Sequence, residues 1–316
     1  MKICVLDAAT IGQDVSPKIL SLPGDTEVFQ TSNDTEVIER IKECDVAVLN
    51  KVKLNRENLK YARNLKLICV LATGFDNIDI PYCKERGIAV CNVCGYSTDS
   101  VAQLTLSMAL SLCTNLSQFN SYVKSSEYTK SGVANHLTPT FHELAGKTWG
   151  VIGLGNIGKK VARIALAMGC NILAYKRTPD TEFTCCDLET ICEKSDIISV
   201  HLPLSDETRG IISRGLIGKM KKTAVFINVA RGAVTDESAL ADAIKNGMLG
   251  GIGVDVYSAE PFPKNHPFNA IMQLDNVCLT PHMAWGAYEA RVRCVEEVAE
   301  NIKAFFEGKI RNRVDI

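Results

Sequence analysis

Residues 148–169, TWGVIGLGNIGKKVARIALAMG, decide the fold. An apolar strand-like run passes through Gly153, Gly155 and Gly158 in G-x-G-x-x-G spacing and continues as an amphipathic helix closed by Gly169. The first glycine permits the tight turn, the second lets a pyrophosphate approach the backbone, and the third packs helix on strand. Free amides at such a helix start, with the helix dipole behind them, suit a diphosphate. Glycine-rich turns are common, but between this strand and this helix the spacing reads as a dinucleotide-binding unit.

Outward from this motif the chain repeats one rhythm. Downstream, NILAYKR, DIISVHLP, AVFINVAR, GGIGVDVY and NVCLTPH read as further strands separated by helical segments. Upstream, KICVLD, TEVFQT, DVAVLN, KLICVLAT and IAVCNV alternate with amphipathic stretches such as NDTEVIERIKEC, enough for a separate small α/β domain. Alternation of this kind predicts parallel sheets covered by helices on both faces. Between the two sets a helix is expected to start at Ser100, where SVAQ offers a capping box. Its apolar residues lie on nearly all sides, which predicts burial on more than one face. The final segment, AYEARVRCVEEVAENIKAFFEG, reads as a long helix returning toward the first domain.

Composition narrows the class. The 316 residues suffice for two domains, and 46% hydrophobic with 22% charged residues is the balance of a soluble globular protein. A net charge of -1 supplies no general attraction to nucleic acid or anionic lipid. The strand-like start lacks the features of a secretory signal, and the 13 scattered cysteines form no disulfide framework, so a cytoplasmic protein with reduced thiols is expected. Cys91 and Cys94 have C-x-x-C spacing without a second pair, and read as small structural residues; no metal is expected.

Three downstream strand ends carry the chemistry. INVARG ends in Arg231, GVDVYSAEP leads to Glu260, and LTPHMAW contains His282. In an open parallel sheet, ligands bind beyond the carboxyl ends of the strands. Singly, these are an ordinary cation, carboxylate and loop imidazole; together they suit hydride transfer to a 2-oxo acid. Arg can hold the substrate carboxylate bidentately and polarise the carbonyl. His can donate a proton to the forming alkoxide, and a carboxylate on its other ring nitrogen fixes the tautomer and stabilises the charged ring.

The glycine motif, NVARG, DVYSAEP and TPHMAW, in this order, together with VLATGFDNID and GYSTDSVAQ upstream, resemble the D-2-hydroxyacid dehydrogenase family over nearly the whole chain. The resemblance implies two doubly wound parallel-sheet domains, with a Rossmann cofactor domain inserted into a flavodoxin-like substrate domain. The substrate domain is expected at 1–99 and 287–316, and the cofactor domain at 100–286, including a dimerisation arm at 100–146. The resemblance makes Arg231, Glu260 and His282 catalytic. It places cofactor contacts at Thr73, Gly153, Gly155, Asn156, Ile157, Gly158, Leu202, Pro203, Val229, Ala230, Arg231, Asp255 and His282. Substrate contacts fall on Ala72, Thr73 and Gly74, with Arg231 and His282. Asn50, Lys51 and Trp285 resemble the hydroxypyruvate reductase, or glycerate dehydrogenase, branch and add Lys51 and Trp285 to the substrate set. Tyr128 stands where the family frequently has Trp in the dimer arm. The implied partners are a small 2-oxo or 2-hydroxy acid, hydroxypyruvate or glyoxylate first, and a second copy of the chain, with neither nucleic acid nor membrane. Alternatives are a D-lactate-type dehydrogenase with a different 2-oxo acid, or a dinucleotide-sensing corepressor-like binding protein.

The strand after the glycine motif ends unusually. An NAD-preferring fold has Asp or Glu there, about 20 residues beyond the last glycine, on the ribose hydroxyls. Here, 18 residues after Gly158, stands Lys176, followed by Arg177 and Thr178. Two cations and a hydroxyl suit a 2'-phosphate, so the cofactor is expected to be NAD(P) with NADP(H) favoured, and Asp180 is expected to turn away.

Overall fold

The computed structural model describes residues 1–19, 21–178 and 180–316. The chain forms two compact units, Met1–Ser97 with Trp285–Ile316, and Thr98–Ala284.

The first unit is built on β1 (Lys2–Val5), β2 (Asp25–Val28), β3 (Val46–Leu49), β4 (Leu67–Val70) and β5 (Ala89–Cys91). Their order is β2-β1-β3-β4-β5 with every pairing parallel, the flavodoxin-like winding. Alternate side chains leave a strand on opposite faces, and both faces here are apolar. Ile3, Val5, Val46, Val48, Leu67 and Cys69 form one core with Ala290, Cys294, Val295, Val298 and Ile302 of the helix Tyr288–Phe306. Cys4, Leu6, Ala47, Leu49, Ile68 and Val70 form the other with Val37, Ile41, Tyr82 and Cys83. Each fully buried Val or Ile of the final helix contributes roughly 1.5–3 kcal/mol of transfer free energy. The C-terminal tail is tied in by polar contacts: Val90 N–H donates to Asp315 at 2.8 Å, and the Arg311 and Asn312 side chains donate to Oδ1 of the buried Asn301 at 3.0 and 2.9 Å.

The second unit is built on β6 (Thr148–Ile152), β7 (Asn171–Tyr175), β8 (Thr184–Cys185), β9 (Ile197–Val200), β10 (Val225–Asn228), β11 (Gly251–Val254) and β12 (Val277–Leu279). Their order is β12-β11-β10-β9-β6-β7-β8, again all parallel. Strand order therefore reverses beside β6, the switch point at which dinucleotides bind. The two-residue edge strand β8 has too little sequence to show a period. The helix expected to start at Ser100 starts at Thr98, and the Ser100 hydroxyl donates to the Ala284 carbonyl at 2.6 Å instead of capping. Nor is that helix buried all round: Val101, Ala102, Thr105, Met108 and Ala109 make one buried face, whereas Gln103 and Ser107 are exposed. Thr105 satisfies its buried hydroxyl within the helix, on the Val101 carbonyl, so a polar residue sits in the apolar face without loss. No helix among the described residues is long and apolar enough to cross a membrane.

Candidate active site

β10, β11 and β12 are neighbours, so the loops at their carboxyl ends lie side by side and carry Arg231, Glu260 and His282. His282 Nδ1 stands 2.6 Å from Glu260 Oε2, and the two side chains are 19% and 30% exposed. The other carboxylate oxygen of Glu260 accepts the Tyr257 N–H at 3.0 Å, and the Tyr257 hydroxyl donates to the Thr280 carbonyl at 2.9 Å. The carboxylate is thus fixed by its own loop while it holds the Nδ1 side of the imidazole.

His282 itself has φ of +52°, in the left-handed region. A non-glycine residue there costs about 1–3 kcal/mol and persists only where its surroundings over-determine it. Asp255, fully buried at the end of β11, does so. Its carboxylate accepts the Thr280 hydroxyl at 2.6 Å and the N–H groups of Met283 and Ala284, each at 2.8 Å, on both sides of His282. Burial pushes the Asp255 carboxyl up from the ordinary carboxylate range, and these hydrogen bonds oppose the rise. The assigned cofactor contact Asp255 therefore organises the histidine loop, a role its sequence position does not reveal.

Arg231 follows a turn organised by Asn228, which is 2% exposed. The Asn228 side chain accepts the Ala230 N–H and donates to the Arg231 carbonyl, both at 3.0 Å, and Arg231 Nη1 donates to the Ala230 carbonyl at 2.9 Å. Val229 and Ala230 are nearly buried on the way. One other histidine stands at a strand end, His201 after β9, and it is unsuited to acid chemistry. Burial pushes its imidazole down to about 3, and Nε2 is taken by the Ser199 hydroxyl at 3.0 Å. Leu202, half-buried, and the exposed Pro203 follow it.

At β6 the glycine loop has the form a dinucleotide needs. Gly153 has φ of +100°, and a Cβ on Gly158 would fall 2.1 Å from the Gly153 carbonyl oxygen, so neither position accepts a side chain. A Cβ on Gly155 would meet nothing within 4 Å, so the space above this residue is open. The helix Asn156–Ala167 has Gly155 at its N-cap and no side-chain cap, which leaves the first amides, including those of Asn156 and Ile157, for an anion. These residues fit a pyrophosphate.

Beyond β7, the expectation that Asp180 turns away is overturned. Its carboxylate, 6% exposed, accepts from Lys159 at 2.8 Å and Lys176 at 3.2 Å, and Asp180 also receives the Glu182 N–H at 3.0 Å. Lys159, first among these contacts, holds the Asp180 carboxyl well below the usual carboxylate range. Two ammonium groups converging from helix and strand end outcompete water for this acid. Arg177, 82% exposed, pairs with Glu207 at 2.8 Å, and Thr178 is exposed. Pro179 lies outside the described residues.

In the first unit, Lys51 and residues 72–74 follow the adjacent strands β3 and β4. The Asp7 carboxylate accepts the N–H groups of Asn50, Lys51 and Val52 at 2.8, 2.6 and 3.0 Å. The Thr73 hydroxyl donates to the Val93 carbonyl at 2.8 Å, and the Asn92 amide donates to the Thr73 carbonyl at 2.7 Å. Ala72 and Gly74 on either side are partly exposed. The Trp285 ring packs edge-on against Tyr96, centroids 6.4 Å apart. Cys91 is buried and donates to the Arg311 carbonyl, Cys94 lies on the surface, and among the described residues no cluster could hold a metal ion.

Residues 106–284 match the family model of the D-isomer specific 2-hydroxyacid dehydrogenase NAD-binding domain. The glycerate dehydrogenase of Methylorubrum extorquens is 33% identical over 315 residues, covering 99% of each chain. Among solved structures, the D-lactate dehydrogenase of Aquifex aeolicus, complexed with NAD and lactic acid, superposes with a TM-score of 0.89 at 30% identity, covering 100% of this chain and 99% of that one. The NADPH-dependent glyoxylate/hydroxypyruvate reductase of Sinorhizobium meliloti, in complex with NADP and malonate, gives 0.86 at 27% identity, covering 99% and 96%. With the glycine loop and the His–Glu pair in place, this agreement along the whole length means that the chain belongs to the D-isomer specific 2-hydroxyacid dehydrogenase family, as an oxidoreductase with an NAD(P)-binding domain.

Proposed function

We propose that the chain reduces hydroxypyruvate or glyoxylate to the D-2-hydroxy acid, with Arg231, Glu260 and His282 as its catalytic residues. The observation that carries this reading is the 2.6 Å contact between His282 and Glu260 beside the strand end that bears Arg231. A nicotinamide, when bound, supplies the hydride. Arg231 binds the substrate carboxylate and draws electron density from the adjacent carbonyl. His282 delivers a proton from Nε2 to the forming alkoxide oxygen, and Glu260 stabilises the ring while it is charged. The relatives' names support the substrate class: glycerate dehydrogenase in one, glyoxylate/hydroxypyruvate reductase in another.

For the cofactor, NADPH is favoured. Lys159 and Lys176 share one carboxylate, Asp180, so this group of three retains net positive charge for a 2'-phosphate, whereas Arg177 is already balanced by Glu207. One charge-assisted hydrogen bond is worth roughly 1.5–3 kcal/mol, a preference of about tenfold or more. The test is a spectrophotometric panel of hydroxypyruvate, glyoxylate and pyruvate with NADPH and NADH. Highest kcat/KM is expected with one of the first two substrates and NADPH, and Lys176→Asp is expected to reverse the cofactor order through the KM for cofactor. No turnover on the panel would reject the enzymatic reading; equal efficiency with both cofactors would reject the preference alone.

The working form is a homodimer in the cytoplasm, joined through the 100–146 arm. Helices Leu116–Lys124 and Glu127–Ser131 have no buried residue within the chain. Leu116, Val123, Tyr128, Val133, Leu137 and Phe141 are all exposed there, and the Tyr128 hydroxyl is used on the Ala134 carbonyl. Apolar side chains gathered in this way mark an association surface. Light scattering at micromolar concentration is expected to give twice the 34.5 kDa chain mass; a monomer would reject the dimer.

A further inference from the structure

We infer that Glu237 is a positioning residue that holds the loop of Glu260 against the segment following Arg231, and through it sets the His282–Glu260 contact. The inference rests on the proposed roles of that pair. Glu237 is the first residue of the helix Glu237–Lys245 and is 9% exposed. Its carboxylate takes three donors from the loop after β11: the Ser258 N–H at 2.9 Å, the Ser258 hydroxyl at 2.5 Å and His266 Nε2 at 3.0 Å. The direction of the last bond is fixed, because His266 Nδ1 accepts the Phe268 N–H at 3.3 Å and Nε2 therefore carries the proton. A nearly buried carboxylate met by three donors is a structural anchor, and none of its bonds serves its own helix.

The anchored stretch adjoins the chemistry. Tyr257, next to Ser258, gives its N–H to Glu260 Oε1 at 3.0 Å, and Glu260 Oε2 holds His282 at 2.6 Å. On the other side, a Cβ on Gly232 would fall 2.1 Å from the Tyr257 carbonyl carbon, so the residue after Arg231 is in direct backbone contact with this loop. Releasing Ser258 loosens Tyr257, and with it the carboxylate on which the protonated ring depends. Ionisable groups facing His282 include Glu260 on this loop and Asp255 at the end of β11, with Tyr257 beside both carboxylates; His266 faces Glu237.

The experiment compares pH profiles of kcat for substrate reduction in wild type, Glu237→Gln, Ser258→Ala and Glu260→Gln, alongside cofactor binding by fluorescence titration. Glu237→Gln keeps the shape but presents an amide N–H₂ to at least one donor. It is expected to lower kcat about tenfold, short of the roughly 10²-fold that a full 1 Å misplacement can cost. It is also expected to move the alkaline fall of the profile toward lower pH, in the direction of Glu260→Gln, with cofactor binding kept within about twofold. Ser258→Ala, which loses one donor and keeps the backbone bond, should show a smaller shift of the same sign, and serves if the Gln variant does not fold. A wild-type profile in the folded Glu237 variant, or in Ser258→Ala where that variant is lost, overturns the inference when Glu260→Gln has shifted. An unshifted Glu260→Gln overturns the pair's assigned role and this inference together.

Discussion

His282→Ala is expected to lower kcat for reduction by about 10²–10⁴-fold, the contribution of a positioned general acid. Cofactor binding should survive, because the glycine loop and the Lys159–Asp180–Lys176 group lie at other strand ends. The loss should therefore fall on kcat rather than on the cofactor's dissociation constant, which separates an acid from a structural residue. Glu260→Gln adds the sign. Reduction draws a proton from the ring, so the rate is expected to fall as pH rises. The carboxylate 2.6 Å from Nδ1 favours the cation; the neutral amide does not, and the alkaline limb should move to lower pH. Pre-steady-state reduction with both variants across pH checks the two effects. A His282→Ala enzyme with near wild-type kcat, or a Glu260→Gln limb that stays in place, would remove the pair from the chemistry.

The second large effect is expected at Arg231. Arg231→Lys retains the charge but replaces a planar fork with a point donor, which cannot grip a carboxylate along two parallel bonds. Loss of the bidentate contact removes at least one charge-assisted hydrogen bond of roughly 1.5–3 kcal/mol, about 10- to 150-fold in kcat/KM. Both KM and kcat should change, because the same group anchors the ground state and polarises the carbonyl as it reacts. Arg231→Ala should be worse, with partial rescue by added guanidinium. A Lys variant with wild-type kcat/KM would show that the Asn228-organised turn holds Arg231 for another purpose.

Strand positions and the glycine loop were legible because a buried parallel strand is a continuous apolar run and a G-x-G-x-x-G turn is local in sequence. So was the placement of Arg231, Glu260 and His282 behind neighbouring strands, each close to the end of an apolar run. What escaped was non-local or sterically subtle. Asp180 folds back because Lys159, from another element, meets it together with Lys176, and nothing in TPD announces that. Ser100 matched a capping box, yet its hydroxyl bonds Ala284, 184 residues away, and the helix begins earlier. Glu237 sits 21 and 29 residues from the partners that give it meaning, and beside the N-cap Asp236 it reads as an ordinary acid in a first helical turn. The left-handed backbone at His282 has no sequence signature at all, since position in the chain does not reveal φ.

The interrupted first unit has a consequence for biosynthesis. Residues 98–284 leave the ribosome as one unbroken stretch holding all seven strands of their sheet. The first 97 residues contain all five strands of theirs, yet one apolar face is completed only by the helix Tyr288–Phe306. At about 5–20 residues per second, that face waits roughly 10–40 s for its cover. During this interval Ile3, Val5, Val46, Val48 and Leu67 present a ready surface to chaperones and to neighbouring nascent chains. Slower translation across residues 98–306 is therefore expected to leave this half-finished sheet exposed for longer, although the finished one is covered on both faces.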